Sequence, residues 1–344
     1  MPQLHSAWLI GVPALAMVVA VWLDRRWGEP PLWAHPVVAM GRLLSLAGPR
    51  LWRQPAVRAS LGGALVWCLG AALSVGVAWA LAHSVQRVLQ GVMQWWLGGR
   101  AQDGSLWPLA VSLASGVAMG VLLKPLMAWR MLRDEVQGVE AALAESLPAG
   151  RARLARLVSR DVHSLSEAEV RESAIESLAE NLNDSVVAPL CWFALAGLPG
   201  AALYRWANTA DAMWGYRDHR RWMGAWAARA DDVLSWLPAR LTAGLLCLSA
   251  RRWSGWRAMR QEAALTPSPN GGWPMGTMAL LLGASLGKPG VYRLNATAPA
   301  PQAGATAQAL HWAGRAVGWC VLCLSGLGAV RALWAMLDLT RWLA

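Results

Sequence analysis

Three long stretches of this sequence lack charge altogether. Ala7–Leu23, Ala59–Ala82 and Ser105–Leu123 contain no Asp, Glu, Lys or Arg. A bilayer span needs about 17–25 predominantly apolar residues. The missing charge therefore excludes the pair of soluble domains that 344 residues could otherwise form. No Lys or Arg precedes the first run, whereas Arg25 and Arg26 follow it. A secretory signal has the opposite order, so this segment is expected to stay as an anchor. Cysteine is scarce and scattered, at 68, 191, 247, 320 and 323. Only Cys320 and Cys323 form a C-x-x-C pair, and no second pair accompanies it, so zinc or redox chemistry is not expected. One Phe stands against 24 Trp. Trp suits membrane interfaces, because its ring is apolar and its N–H wants a partner.

Nucleotide and hydrolase signatures are missing too. There is no G-x-x-x-x-G-K-[ST]; Gly283–Pro289 reads GASLGKP and fails at both the spacing and the hydroxyl. No G-x-G-x-x-G, H-E-x-x-H or clear Ser/His/Asp set is found, so any use of ATP must do without a P-loop.

What is present fits a membrane. Hydrophobic residues make up 56% of the chain and its mean hydropathy is +0.33. The net charge of +11 does not point to nucleic acid, because the basic residues sit in loops beside apolar spans, where the positive-inside rule places them. The loop after the first span carries Arg25, Arg26, Arg42, Arg50, Arg53 and Arg58; the loop after the second carries only Arg87 and Arg100. The first loop is therefore expected to be cytoplasmic and the N-terminus to face outward. The expected fold is all-α: a polytopic integral membrane protein with about four to five transmembrane or re-entrant helices and a cytoplasmic helical region over 124–185. The whole of 1–344 is expected to form one domain, with a linker at 295–309 before a last helix over about 310–333. Pro148-Ala149-Gly150 marks a turn within the polar region. Ser166-Glu167-Ala168-Glu169 is a capping box, opening a helix that should run to about Asn181. Pro189, Gly197, Pro199 and Gly200 predict a broken or re-entrant helix over 186–204. The run 233–250 is ambiguous in the same way, because it holds Pro238 and Arg240.

Polar residues gather in four clusters at span ends, all on the expected cytoplasmic side. The first contains Asp24, Glu29, His35 and Arg42. It reads either as an orienting loop or as carboxylates and a base beside the bilayer. The second runs from Arg160 and Asp161 to Asp184. Here Glu172, Glu176 and Glu180 stack at i, i+4, i+8 on one helical face. That face is either solvated or a row of oxygen ligands for Mg²⁺, to which Asn181 and Asp184 add oxygens. The third comprises Asn208, Asp211, Tyr216 and Arg217, continuing through Arg229 to Asp231 and Asp232. Its Arg side chains suit phosphate. The fourth is the turn Ser268–Pro274, whose backbone N–H groups could approach an anion.

These clusters resemble the CobD/CbiB family. The resemblance rests on five ordered stretches: Asp24–Arg42, ESLAENLNDSVVAPL (176–190), NTADAMWGYR (208–217), ARADDVLSWLPARLTA (228–243) and SPNGGWP (268–274). It covers roughly residues 20–285. Glu29 stands where the family often has Asp, Ser185 replaces a Gly, and Met275 stands where many members carry Glu. The sequence after Lys288 leaves the pattern. The resemblance implies an adenosylcobinamide-phosphate synthase, an enzyme joining adenosylcobyric acid to (R)-1-aminopropan-2-ol or its phosphate with ATP and Mg²⁺. It also implies the bacterial plasma membrane, with the active site on the cytoplasmic side. Partners are then the corrinoid, the amine, ATP and lipid, with further copies of the chain or other corrinoid-pathway membrane proteins, and no nucleic acid. Expected catalytic or substrate residues are Asp24, Glu29, His35, Glu176 and Asp211. Expected metal ligands are Glu176, Glu180, Asp184 and Asp232. Substrate or phosphate contacts are expected from Arg42, Arg160, Asn181, Asn208, Tyr216, Arg217, Arg229, Arg240, Asn270 and Trp273. Rival readings are an AmpE-like membrane sensor without catalysis, or a transporter built on the broken helices.

Overall fold

The computed structural model describes residues 2–97, 107–216 and 218–342. It is an all-α polytopic membrane protein. Five of its described helical stretches are long and apolar enough to cross a membrane: Ala56–Val92, Leu109–Glu145, Glu167–Trp214, Arg221–Ala250 and Ala303–Val330. The first expected span falls in α1 (Pro2–Trp27). The chain divides into two compact units.

The first unit takes residues 1–127, 189–231 and 321–344. It contains α1, α2 (Pro36–Leu51), α3 (Ala56–Leu97), α4 (Trp107–Leu123), most of α8 (Ala188–Trp214) and the start of α9 (Arg221–Ala250). Helices α1 and α4 lie side by side. A Cβ at Gly116 would meet Leu15 Cδ2 at 2.7 Å, and one at Gly120 would meet Val19 Cβ at 2.6 Å. This is a small-x-x-x-small seam: in lipid, helices gain from packing rather than from the hydrophobic effect, and glycine lets two backbones approach. A second core gathers Met40, Leu44, Trp206, Trp214 and Met223. Trp206 is fully buried and its indole N–H donates to Trp67 O at 2.9 Å, so the one polar atom of that ring is satisfied.

The second unit takes residues 128–188 and 232–320. Its helices are α5 (Trp129–Glu145), α6 (Leu147–Leu154), α7 (Glu167–Leu182), α10 (Trp256–Ala263) and α11 (Gly272–Leu282), with the later part of α9 and the first part of α12 (Ala303–Trp342). The capping box forms as expected: Ser166 Oγ accepts from Glu169 N, and Glu169 Oε2 accepts from Ser166 N at 2.7 Å. Arg171, on α7, is buried and donates to both carboxylate oxygens of Glu140, to Glu167 and to Pro301 O; Thr306 adds a hydroxyl to Glu140 at 2.6 Å. This knot binds α5, α7 and α12 together.

Several sequence expectations change. Pro148 opens a helix instead of marking a loop: Ser146 caps α6 and Pro148 occupies its first turn, where no N–H is missed. Helix α9 runs unbroken through Pro238, and the last helix begins at Ala303, inside the stretch read as linker. Alanine-rich sequence favours helix once it packs. The break over 186–204 is real. A π-helical turn covers Asn183–Val187, and Gly197 (φ 64°, ψ −159°) kinks α8. The hairpin of β1 (Leu286–Lys288) and β2 (Tyr292–Leu294) was not foreseen. Of the C-x-x-C pair, Cys320 is buried and Cys323 exposed, and the two form no disulfide. Arg217 lies outside the described residues.

Candidate functional site

Helix α7 is polar, yet every residue from Val170 to Ala179 is buried. The solvated-face reading of its glutamates is therefore wrong. A buried charge is costly unless paired or hydrogen-bonded, so each must be held by something. Glu172 Oε1 accepts from Arg293 at 3.1 Å and from Ser285 at 3.4 Å. Glu176 Oε2 accepts from the Arg160 guanidinium at 3.4 and 3.5 Å, and Arg160 also reaches Ser173 at 3.2 Å. The other oxygen, Oε1, is buried with no hydrogen bond of ordinary geometry. Glu180, one turn on, borders the Ser268–Pro274 turn: a Cβ at Gly271 would lie 3.1 Å from its Oε1. A glycine there leaves that oxygen room.

Beside the two carboxylates stands Tyr292, from β2. Burial pushes its hydroxyl up in pKa, and the charges of Glu176 and Glu180 push it further. Its Oη lies 3.7 Å from Met275 Sδ. Met275 therefore belongs to this cluster and brings no charge to it.

The Ser268–Pro274 turn is clamped from within. Ser268 Oγ accepts the N–H groups of Asn270 and Gly271, so the donors expected to face an anion are already used. Asn270 accepts from Arg240 at 2.6 Å and donates to Asp232 O at 2.7 Å. Arg240 also donates to Pro269 O, and its guanidinium lies 4.8 Å from the ring centres of both Trp236 and Trp273. Arg240, Asn270 and Trp273 thus form one interlocked unit. At the end of α7, Asn181 donates to Ser177 O at 3.0 Å, Asp184 accepts from Asn183 at 2.8 Å, and Asn183 accepts from Thr242.

The first unit holds the other expected residues. Asp24 is fully buried, and Lys124 lies 3.5 Å from it and 3.2 Å from Glu29. His35 Nε2 meets Glu29 Oε2 at 2.8 Å, while its Nδ1 accepts from Val37 N at 3.2 Å and caps α2. Both ring nitrogens are engaged, Nδ1 as acceptor and Nε2 as donor, which pins the ring and leaves it no free lone pair for a base. Burial pushes Glu29 up, but the His35 hydrogen bond and Lys124 outweigh it and hold its carboxyl below the ordinary value. Asn208 accepts from Arg205 and donates to Asp231, each over about 3.5 Å. Asp211 O accepts from Gly215 N, closing the turn after α8. Exposed Tyr216 carries the Arg220 guanidinium 4.0 Å above its ring, and Arg220 holds the Asp218 carboxyl well below the usual range. Arg42 and Arg229 are exposed.

The structure thus gathers Arg160, Glu176, Glu180, Asn181, Asp184, Asp232, Arg240, Asn270 and Trp273 into the second unit. Asp24, Glu29, His35, Arg42, Asn208, Asp211, Tyr216 and Arg229 belong to the first. The sequence reading assigns no role to Lys124, Lys288, Tyr292 or Arg293. One signal for two of them is legible: the chain has only two lysines, Lys124 and Lys288, and both sit among carboxylates.

Among the described residues no group of three or more His, Cys, Asp or Glu could by itself hold a metal. Mg²⁺ does not need one, since one or two carboxylates plus substrate phosphates suffice. The buried Glu176 carboxylate, with the Tyr292 hydroxyl as its neighbour and Glu180 one turn on, fits such a minimal donor set.

Comparison with known proteins adds an independent line. The family model described as CobD/Cbib protein matches residues 17–319. A cobalamin biosynthesis protein CobD from Chromobacterium violaceum is 39% identical over 281 residues, covering 80% of this chain and 81% of its own. A protein of the same name from Stutzerimonas stutzeri is 37% identical over 91% of this chain and 97% of its own. A probable cobalamin biosynthesis protein CobD from Methanothermobacter thermautotrophicus is 38% identical over 81% of this chain and 85% of its own. No solved structure matches.

Proposed function

The chain belongs to the CobD/CbiB family, and from that premise we propose that it is an amide-forming ligase of cobalamin biosynthesis. It joins a corrinoid carboxylic acid, adenosylcobyric acid, to (R)-1-aminopropan-2-ol or its phosphate. A carboxylate is a poor acyl donor. Its oxygen therefore attacks the γ-phosphorus of ATP, releasing ADP and giving an acyl phosphate. The amine nitrogen then attacks the acyl carbon, expels inorganic phosphate and loses a proton.

One observation carries the reading: two carboxylates stand one helical turn apart on α7, Glu176 buried and Glu180 half-buried, and the Arg160 guanidinium pairs with Glu176. A scaffold has no need of buried, incompletely paired acids, which cost stability. Phosphoryl transfer needs this set, because catalysis there is mostly positioning and charge stabilisation. Glu176 and Glu180 would hold Mg²⁺, which supplies positive charge to the phosphate oxygens when bound. Arg160 orients Glu176 and offers its remaining donors to phosphate. The interlocked Arg240–Asn270–Trp273 turn fixes the wall beside Glu180. Asp184 and Asp232 stand at its margin. In the first unit, Lys124 and His35 hold Glu29, and Lys124 also reaches the buried Asp24. Corrinoid synthesis of this kind belongs at the bacterial plasma membrane, with the ATP-dependent site on the cytoplasmic side.

The test is purified protein with adenosylcobyric acid, aminopropanol phosphate, ATP and Mg²⁺, with mass spectrometry of the corrinoid. Amide product is expected from the wild-type chain. Glu180→Ala and Glu176→Ala should each abolish it with membrane insertion intact. Full activity in either variant removes that residue from the mechanism, and absence of amide from the wild type overturns the ligase reading.

A further inference from the structure

Next to the Glu176–Glu180 pair, between α7 and the β1–β2 turn, lies a separate cavity of about 340 Å³. Glu169 and Glu172 line it from the helix; Lys288, Tyr292 and Arg293 line it from the hairpin. Its two sides carry opposite charge. Glu172 is 1% exposed and uses only Oε1 on Arg293 and Ser285. Its Oε2 makes no hydrogen bond among the described residues and faces Gly287, where a Cβ would come to 3.5 Å. Across the cavity, the Lys288 ammonium has no hydrogen bond or ion pair among the described residues. Lys288 sits at the end of β1, where Gly290 at φ 72° lets the chain reverse. Arg293 keeps donors beyond those it gives to Glu172 and Ser285, because its side chain is 53% exposed. Pockets for organic ligands run from about 300 to 1,000 Å³. This one is at the small end, suited to a short molecule and not to a macrocycle.

We infer that this cavity binds a small zwitterion, with a primary ammonium against Glu172 and a tetrahedral anion such as a phosphate monoester against Lys288 and Arg293. A buried acid with one unused oxygen recognises the ammonium. The Lys288 ammonium, which hydrogen-bonds no carboxylate but whose charge also bears on Glu176 and Glu180, recognises the anion as a point charge. The string Gly283–Pro289, which resembles a phosphate loop without being one, supplies that lysine from a hairpin. On the ligase reading, on which this assignment of ligand rests, the zwitterion is the phosphorylated amine substrate. The cavity then places its nitrogen beside the acids that handle the phosphoryl group.

Full-length protein in detergent tests it through the KM of each substrate. Lys288→Met, at the half-buried end of β1, should raise the KM for aminopropanol phosphate by about tenfold, the loss of one charge-assisted contact. The KM for unphosphorylated aminopropanol should rise less, so that the preference between the two amines shifts toward the unphosphorylated one. Glu172→Gln should raise the KM for both amines. An unchanged KM for the phosphorylated amine in both variants overturns the subsite while leaving the ligase reading standing. If the wild type forms no amide at all, the ligase reading fails, and calorimetric titration with phosphoethanolamine reads the cavity directly. Binding to the wild type that Lys288→Met abolishes supports the zwitterion site. No binding to the wild type, or equal binding to both, overturns it.

Discussion

Glu29 shows how a single charge can be held in a partly buried site. Its depressed carboxyl is stabilised by His35 and Lys124, so its ionised form is favoured in the folded protein. A carboxyl with a lowered folded pKa adds stability above its unfolded value, ordinarily 4.5 here, and that stability is lost as pH falls through the folded value. The thermal midpoint of the wild type should therefore exceed that of Glu29→Gln at neutral pH, and the gap should close on acidification below 4.5. A gap that stays constant from pH 7 to pH 4 removes the ion pair from the account. His35, with both nitrogens in use, belongs to the same support and tolerates no substitute that lacks two such atoms. The sequence marked Asp24, Glu29 and His35 as important. It did not reveal Lys124, because that lysine follows an apolar span about a hundred residues later.

At the scale of elements, two glycine features shape the membrane helices. The kink in α8 sits at Gly197, whose φ of 64° with ψ of −159° is open essentially to glycine alone. Gly197→Ala should cost about 1–3 kcal/mol and lower the midpoint of urea or thermal unfolding in detergent. Wild-type stability would show that the kink can relax. The seam between α1 and α4 is the second. Gly120→Leu forces a side chain into Val19 and the Ala16 carbonyl and should destabilise by about 1–3 kcal/mol, read as faster heat aggregation. The broken α8 was legible in Pro189, Gly197 and Pro199. Unbroken α9 was not, because the same proline signal gives opposite results: a proline in a helix is tolerated where neighbouring groups satisfy the freed backbone. The hairpin of β1 and β2 was illegible for a different reason, since strands of three residues are too short to show a period.

For the molecule as a whole, the arginine-rich loop after α1 and the arginine-poor C-terminal end of α3 should lie on opposite sides of the membrane. Single cysteines at exposed Gln54 and Gln90, in a background without the five native cysteines, should be labelled from opposite faces by a membrane-impermeant maleimide. Labelling of both from one face would overturn the orientation. The cysteine-free background must first retain amide synthesis.

The sequence by itself determined the membrane class and the family. Charge-free runs and five ordered motifs are local features, and local features survive in a linear string. It also placed the capping box of α7 and the glutamates at helical spacing. Only the tertiary structure decided that this face is buried, that Arg160 and Arg293 hold its acids, and that Arg240 and Asn270 bind each other. Those facts depend on side chains brought together from positions up to 121 residues apart, as with Arg293 and Glu172. Nothing in the spacing of a chain records which distant partner will reach a buried charge first.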